Sequence, residues 1–197
     1  MTSLPGTMPN WNNAGVLPPI RPTAPGDSID RSPYTLNLVT LVNHFNSMLS
    51  LDRIAILNGF MKFRASLHQA GIVNGFQWLD GSFLEHVEIL ESRPPRDMDV
   101  VTFFHLPDGH DQQSLAQRNP LLFDHKRLKT SYMMDAYFFV LGNPTEAYQV
   151  QKISYWYSMW SHRRDGLWKG FIQIDLDPSQ DIKASAILNP AGGMHHE

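Results

Sequence analysis

Apolar residues recur at helical spacing through the segment from residue 38 to residue 70. Between residues 38 and 49 they lie at positions 38, 41, 42, 45, 48 and 49, which is the spacing of one face of an α-helix. A second stretch of the same kind runs from about Leu51 to Ala70 and stops at Gly71, a residue type that commonly follows a helix. The pattern therefore predicts two consecutive helices.

Short apolar runs of the kind found in strands follow these helices. They occupy residues 76–79, 99–104 and 133–141. Polar and apolar residues also alternate from 171 to 176, after the turn sequence Arg-Asp-Gly at 164–166. Together these patterns predict an α/β (α+β) fold in which a small mixed sheet packs against helices.

Two further segments bear on the second half of this fold. Residues 143–146, Asn-Pro-Thr-Glu, combine an N-cap residue, a proline at the first helical position and a capping glutamate, which predicts the start of a helix. The aromatic segment 155–162 fits either the end of that helix or a strand. We interpret it as the first strand of a hairpin with residues 171–176.

The two ends of the chain differ in composition from the middle. Seven of the 14 prolines lie in residues 1–33, and a segment so rich in proline holds neither a helix nor a central strand. We interpret residues 1–33 as an extended arm, 34–188 as one domain and 189–197 as a flexible tail. Residues 16–20 of the arm either pack on the domain or belong to a disordered segment, and the sequence leaves both open.

Composition excludes several classes of protein. The chain has no cysteine, which excludes disulfide scaffolds, cysteine-ligated zinc, iron–sulfur clusters and thiol nucleophiles. Its first residues lack a basic start and an apolar core, so they do not resemble a signal peptide. The longest strongly apolar run, residues 136–141, is too short to span a membrane. We therefore expect a soluble, cytoplasmic protein that does not contact a membrane.

The stretch that carries candidate chemistry joins Gly81-Ser82 to two aspartates. A strand run ends at Gly81, a helix is predicted to start at Ser82, and 14 residues separate Ser82 from Asp97. Asp97 and Asp99 are two apart at the start of the next strand, so their carboxylates share a face. Such a pair repels unless a divalent cation neutralises it. A serine at a helix start offers its hydroxyl and N–H groups to phosphate, so the segment predicts a site for a triphosphate and two magnesium ions.

This combination resembles the signature of the DNA polymerase beta-type nucleotidyltransferase superfamily, in which Gly-Ser is followed by Asp-x-Asp on the next strand. Three segments, 15–19, 79–83 and 165–172, together resemble a family of small bacterial nucleotidyltransferase-like proteins. The resemblance implies a minimal nucleotidyltransferase fold and Mg²⁺- or Mn²⁺-dependent transfer of a nucleoside monophosphate from a nucleoside triphosphate to a hydroxyl acceptor. The acceptor would be a protein, an RNA or a small molecule. The spacing of Ser82 and Asp97 is longer than usual in the superfamily, which we assign to a longer helix and the Pro-Pro turn.

The resemblance also implies a third carboxylate on a neighbouring strand. Asp135 lies in an apolar run in the right order after Asp99, whereas Asp175 lies at a strand end; spacing favours Asp135, and Asp175 stays the alternative. We interpret Asp80 as a structural group. The residues implied as catalytic and metal-binding are Asp97, Asp99 and Asp135, and those implied as nucleotide-binding are Gly81, Ser82, Lys152 and Arg163.

A different class of function fits the same pattern. A nucleotidyltransferase-like fold without turnover would bind nucleotide or a partner protein from the same operon, as a toxin–antitoxin regulator or a subunit of an antiviral defence complex.

The net charge of −3 gives no global basic field, but residues 118–169 hold eight of the 16 lysines and arginines. A basic wall beside the acidic segment 75–111 suits an anionic substrate.

Overall fold

Alternating apolar side chains build a five-stranded mixed sheet in the part of the chain that the structure describes. This computed structural model describes residues 6–142 and 146–190. The strands are β1 Tyr34–Leu36, β2 Gly75–Asp80, β3 Met98–Phe104, β4 Met134–Val140 and β5 Ile172–Asp175. Their order across the sheet is β1-β5-β2-β3-β4. β1 is parallel to β5 and β3 to β4, whereas β2 is antiparallel to both of its neighbours.

Helices in the described residues connect and cover these strands. They are α1 Leu38–Asn46, α2 Leu51–Gln69, α3 Val87–Leu90, α4 Gln112–Arg118, α5 His125–Tyr132, α6 Ala147–Trp160 and α7 Asp181–Leu188. α1 begins where the side chain of Asn37 accepts a hydrogen bond from Thr40 N at 2.7 Å. The predicted class, an α+β chain with a small mixed sheet packed against helices, is confirmed.

The two faces of the sheet have different roles, because successive side chains of a strand point to opposite faces. On one face α1, α2, α5 and α7 pack together over the main apolar core. On the other face, Trp78 of β2 meets Phe171, with ring centroids 5.2 Å apart. Trp160 of α6 covers the same Phe171 at 5.9 Å. Asp80 shares this second face with Trp78, so the candidate site lies on the aromatic side of the sheet.

Within its described residues, 6–33, the proline-rich arm contacts the domain at several points. Val16 and Leu17 are buried in the core, and Leu17 O accepts a hydrogen bond from Gly170 N at 2.7 Å. The indole of Trp11 donates to Leu84 O at 2.6 Å. The arm therefore contacts the segment that follows Ser82.

The interpretation of residues 155–162 as a hairpin strand is wrong. α6 continues to Trp160 because Trp156 and Trp160, four residues apart, share the helix face that packs on the sheet. Of the predicted hairpin, the described residues retain an isolated bridge between His162 and Trp168.

Two predicted boundaries fall partly outside the described residues. Residues 143–145 of the predicted helix start and residues 191–197 of the predicted tail are not described, and Glu146 is the N-cap of α6.

Among the helices within 6–142 and 146–190, none combines the length and the apolar character needed to cross a membrane.

Candidate functional site

Strand register places carboxylates from three adjacent strands in one row. Asp80 of β2 is the register partner of Asp99 of β3, and Asp99 is the partner of Asp135 of β4. Register partners share a face of the sheet. Asp97 lies two residues before Asp99 and contributes a fourth carboxylate to the same end of the sheet. We call these four residues the acid row.

A cavity of about 780 Å³ opens over the acid row. Its wall carries basic side chains as well as the four carboxylates. The basic residues that line it are Arg93, Arg96, Lys129, His162, Arg163, Arg164 and Lys169. An acidic floor beside basic walls is an arrangement that binds a cation and a polyanion side by side.

The crowding of carboxylates shows most clearly at Asp99. Burial raises the pKa of Asp99 to about 7, and the negative charges of Asp80, Asp135 and Asp97 add to this effect, while Lys169 opposes it. The ionised form of Asp99 is therefore held at a cost that a further positive charge would relieve.

Asp80 already has a cationic partner. Both of its carboxylate oxygens lie 2.8 Å from Lys169 Nζ, and both residues are buried. Burial raises the pKa of Asp80 to about 6 against the opposing effect of Lys169. Since the ammonium occupies both oxygens, Asp80 acts as a structural member of the acid row.

Lys169 also reaches the other end of the loop that follows β2. Its Nζ lies 3.0 Å from Glu85 Oε1. Burial opposes the charged form, but the carboxylates of Asp80 and Glu85 outweigh it and raise the pKa of Lys169. The loop of residues 81–84 is therefore fixed at both ends by one buried ammonium.

Gly81 is required by the close approach of this loop to the acid row. Its φ is 85°, and a Cβ at this position would lie 2.7 Å from Asp99 Oδ2. A side chain here would displace the Asp99 carboxylate. Gly81 therefore allows the backbone to pass directly beside Asp99.

The predicted helix starting at Ser82 is wrong. Residues Ser82–Leu84 form a single 3-10 turn, and α3, which follows, has four residues. The buried guanidinium of Arg53 donates to Phe83 O and, at 2.8 Å, to Glu85 O, so these carbonyls do not enter helical hydrogen bonds. Ser82 consequently presents its hydroxyl from a turn, without the N-terminus of a long helix behind it.

α5 brings two more side chains to the acid row. Lys129 Nζ lies 3.0 Å from Asp97 Oδ2 and 3.4 Å from Asp135 Oδ2. Hydrogen bonding to Asp97, with the charges of both carboxylates, raises the pKa of Lys129. His125 Nε2 lies 3.0 Å from Asp135 Oδ1, but the two atoms are not aligned for a hydrogen bond, and Oδ1 has no hydrogen-bond partner among the described residues.

The chemistry of these residues fits a divalent cation. Carboxylate oxygens are the ligands that Mg²⁺ prefers, and Asp135 Oδ1 is a buried oxygen without a donor. Within the described ranges, no three carboxylate, imidazole or thiol groups stand close enough together to hold a metal ion as they are placed. The ammonium of Lys129 lies between Asp97 and Asp135, so a metal would have to take its place.

The structure separates the two candidates for the third carboxylate. Asp135 is the direct neighbour of Asp99, whereas Asp175 is the register partner of Phe76. Phe76 pairs in turn with Phe103, four residues from Asp99 and about 13 Å along the strand. Asp175 thus lies toward the opposite end of the sheet.

Arg163 and Lys152, the two basic residues predicted to bind nucleotide, lie in different parts of the structure. Arg163 lines the cavity, and its guanidinium lies 3.1 Å from Glu85 Oε2 and 3.4 Å from Glu91 Oε1. Lys152 is exposed on α6, with Nζ 5.6 Å from the ring centroid of Tyr148. It precedes Trp160, which lines the cavity, by eight residues or about 12 Å along the helix. The structure therefore does not bring Lys152 into the cavity over the acid row, and its assignment to the nucleotide site stays a prediction.

Sequence reasoning missed Lys169, Lys129 and His125. Lys169 is the single charged residue in an otherwise apolar segment, Leu167–Ile172, which is a signal for a paired buried charge. Lys129 and His125 are four residues apart on α5, shortly before Asp135, so they share a helix face next to β4.

Comparison with known proteins identifies the family. No curated protein sequence and no solved structure matches the chain. Residues 9–175 match the model of a family of unknown function, DUF6932. The match begins in the arm and ends at the last residue of β5, so it includes the whole acid row, Lys129 and Lys169. The chain therefore belongs to the DUF6932 family.

Proposed function

We propose that this protein is a magnesium-dependent nucleotidyltransferase. It moves a nucleoside monophosphate from a nucleoside triphosphate to a hydroxyl group on a protein, an RNA or a small molecule and releases pyrophosphate. The observation that supports this most is the placement of Asp97, Asp99 and Asp135 together beside Gly81-Ser82 in one cavity. The proposal includes a cytoplasmic location, where nucleoside triphosphates are present.

The carboxylates of the acid row and the basic groups beside them have different roles in this reaction. Asp97, Asp99 and Asp135 would hold the divalent metal, which when bound would neutralise the acid row and stabilise the charge on the phosphate oxygens. A smaller cavity of about 420 Å³ adjoins the row, and its lining residues are Ser82, Arg93, Arg96, Asp97 and Lys129. Its basic groups and the Ser82 hydroxyl bind the phosphates, and Gly81 lets the chain approach them.

Nucleotidyl transfer exchanges one bond to the α-phosphorus for another. The acceptor oxygen forms a bond to the α-phosphorus, the bond from that phosphorus to the bridging oxygen breaks, and pyrophosphate leaves with the electron pair. The proton of the acceptor hydroxyl goes to a carboxylate. Asp135 is the group proposed for this step, since it lies beside Asp99 in the acid row and lines the cavity.

One observation favours a second candidate, a regulator that binds nucleotide or a partner protein without turnover. Asp97 and Asp135 are already neutralised in part by the chain's own Lys129. A site kept in that state binds no metal and releases no pyrophosphate. Its partner would be a protein encoded in the same operon, as in toxin–antitoxin or defence systems.

Pyrophosphate release separates the two candidates. Wild type is incubated with Mg²⁺, each nucleoside triphosphate and a panel of protein, RNA and small-molecule acceptors. The matched variants are the double change Asp97→Asn with Asp99→Asn, and Asp108→Asn, which alters an exposed loop carboxylate outside the cavity lining. Nucleotidyl transfer predicts release by wild type and Asp108→Asn and none by the double variant. Absence of release with every acceptor, while the double variant still restrains a partner's activity, favours the regulator.

A further inference from the structure

Lys129 is placed on the acid row by the way α5 ends. Met133, the C-cap, adopts the left-handed conformation with φ 59°, and the chain passes at once into β4. Met133 O also accepts a hydrogen bond from Met98 N at 3.1 Å, which fixes the junction to β3. The last turn of α5 therefore lies over the start of β4, with Lys129 above Asp97 and Asp135.

The ammonium and a metal ion require the same oxygens. Lys129 Nζ lies 3.0 Å from Asp97 Oδ2 and 3.4 Å from Asp135 Oδ2. Mg²⁺ binds carboxylate oxygen at about 2.0–2.1 Å, so two cations between these carboxylates would lie within a few ångströms of each other and repel. Binding of the metal thus requires that Lys129 leave.

The smaller cavity offers the side chain of Lys129 a second position. Its side chain is 52% exposed, so it moves at little cost in packing. It also lines the smaller cavity with Ser82, Arg93 and Arg96, which is the wall proposed to bind phosphate. An anion in that cavity offers the ammonium a new partner at the moment when the carboxylates receive the metal.

We propose that Lys129 is a displaceable counter-ion that couples metal binding to phosphate binding. The inference rests on the proposed function for the existence of the metal site. In the metal-free protein Lys129 neutralises Asp97 and Asp135, and it weakens binding of free metal by competing with it. When a metal–polyphosphate complex arrives, Lys129 moves from the carboxylates to the phosphate and strengthens binding of the complex.

The test uses the full chain and two probes, Mn²⁺ alone and preformed Mg²⁺–tripolyphosphate, both titrated by calorimetry. Lys129→Met is expected to bind Mn²⁺ about fivefold or more tighter than wild type and Mg²⁺–tripolyphosphate about fivefold or more weaker. Lys129→Arg keeps the charge and should resemble wild type with both probes. Lys126→Met is the control, because Lys126 is an exposed residue of the same helix outside the cavity lining.

The opposite signs of the two changes distinguish a coupling residue from one that only supports the fold. The inference is overturned if Lys129→Met binds Mn²⁺ no tighter, or binds the complex no more weakly, than wild type. In that case, binding of Mn²⁺ by wild type but not by the double variant Asp97→Asn with Asp99→Asn would mean that the metal site stands and only the role of Lys129 is wrong. If Mn²⁺ binds neither wild type nor Lys129→Met, the metal site of the proposed function fails as well.

Discussion

At the residue scale, the buried ammonium of Lys169 joins both ends of the loop beside the acid row. It contacts Asp80, which precedes Gly81, and Glu85, which follows Leu84. Both carboxylates are buried, and Lys169 is the cation that contacts Asp80, whereas Glu85 also contacts Arg163 at 3.1 Å. The position of Ser82 relative to the acid row therefore depends on a residue more than 80 positions later in the chain.

Lys169→Met should destabilise the protein by about 3–5 kcal/mol, because it leaves two buried carboxylates without this charge partner. The measurement is the free energy of unfolding from urea denaturation at neutral pH. Lys183→Met, at an exposed lysine of α7, should change it by less than about 0.5 kcal/mol. Equal effects of the two substitutions would contradict the role given to Lys169.

A methyl group at Gly81 should disturb both the backbone and Asp99. Gly81→Ala places an alanine at φ 85° and ψ −172°, a region nearly restricted to glycine, at a cost of about 1–3 kcal/mol. It also forces Asp99 Oδ2 away, so the rise in melting temperature caused by Mg²⁺ and nucleoside triphosphate should disappear. Gly109→Ala tests backbone strain alone, since Gly109 has φ 74° and open space at the Cβ position; this variant should keep the ligand-induced rise.

At the scale of elements, α2 holds the segment after Ser82 in place through Arg53. The guanidinium contacts both carboxylate oxygens of Glu88 at 2.7 Å and donates to two carbonyls of the turn. It is 1% exposed, so these contacts replace all of its contact with water. A side chain from one helix thus prevents a neighbouring segment from becoming helical.

Arg53→Met should therefore cost about 3–5 kcal/mol of unfolding free energy, since Glu88 and the two carbonyls lose their donor. Thermal and urea denaturation measure this loss. Arg118→Met, at an exposed arginine in the last turn of α4, is the matched control and should stay within about 0.5 kcal/mol of wild type. A small effect of Arg53→Met would show that the turn is maintained by its own backbone.

The same elements show which features the sequence predicts and which depend on contacts between distant residues. The spacing of Asp97 and Asp99 on one strand face is local, and the predicted order of Asp135 after Asp99 agrees with the parallel pairing of β3 and β4. The absence of a long helix after Ser82 depends on Arg53, 30 residues earlier, and no local pattern records that contact. The sequence leaves residues 155–162 open between a strand and a helix, because aromatic side chains suit both a strand and a helix face that packs on a sheet.

At the scale of the whole molecule, the arm is part of the packing that supports the site. Leu17 is buried in the core, Trp11 donates to Leu84 O, and His86 N donates to Gly15 O at 2.8 Å. The family match also begins inside the arm, at residue 9. The residues that follow β2 therefore contact both α2, through Arg53, and the arm, through Trp11 and Gly15.

Leu17→Ala should destabilise the protein by about 2–5 kcal/mol, the usual cost of a cavity at a buried leucine. Ile29→Ala, in the same arm but at a side chain 95% exposed, should change stability by less than about 0.5 kcal/mol. Urea denaturation of the two variants measures the contribution of the arm. If both were neutral, the arm would not belong to the folded core.

The most direct test of the central claim, that the acid row is a magnesium–nucleotide site, is thermal melting of Asp135→Asn and Asp175→Asn with and without Mg²⁺ and nucleoside triphosphate. Without ligand, Asp135→Asn should melt at the same or a higher temperature than wild type. It removes a charge that repels Asp99, whereas the ion pair it weakens is with the half-exposed Lys129 and contributes little. With ligand, wild type and Asp175→Asn should rise in melting temperature, since the ligand stabilises the folded state, and Asp135→Asn should lose most of that rise. A rise kept by Asp135→Asn and lost by Asp175→Asn would contradict the account.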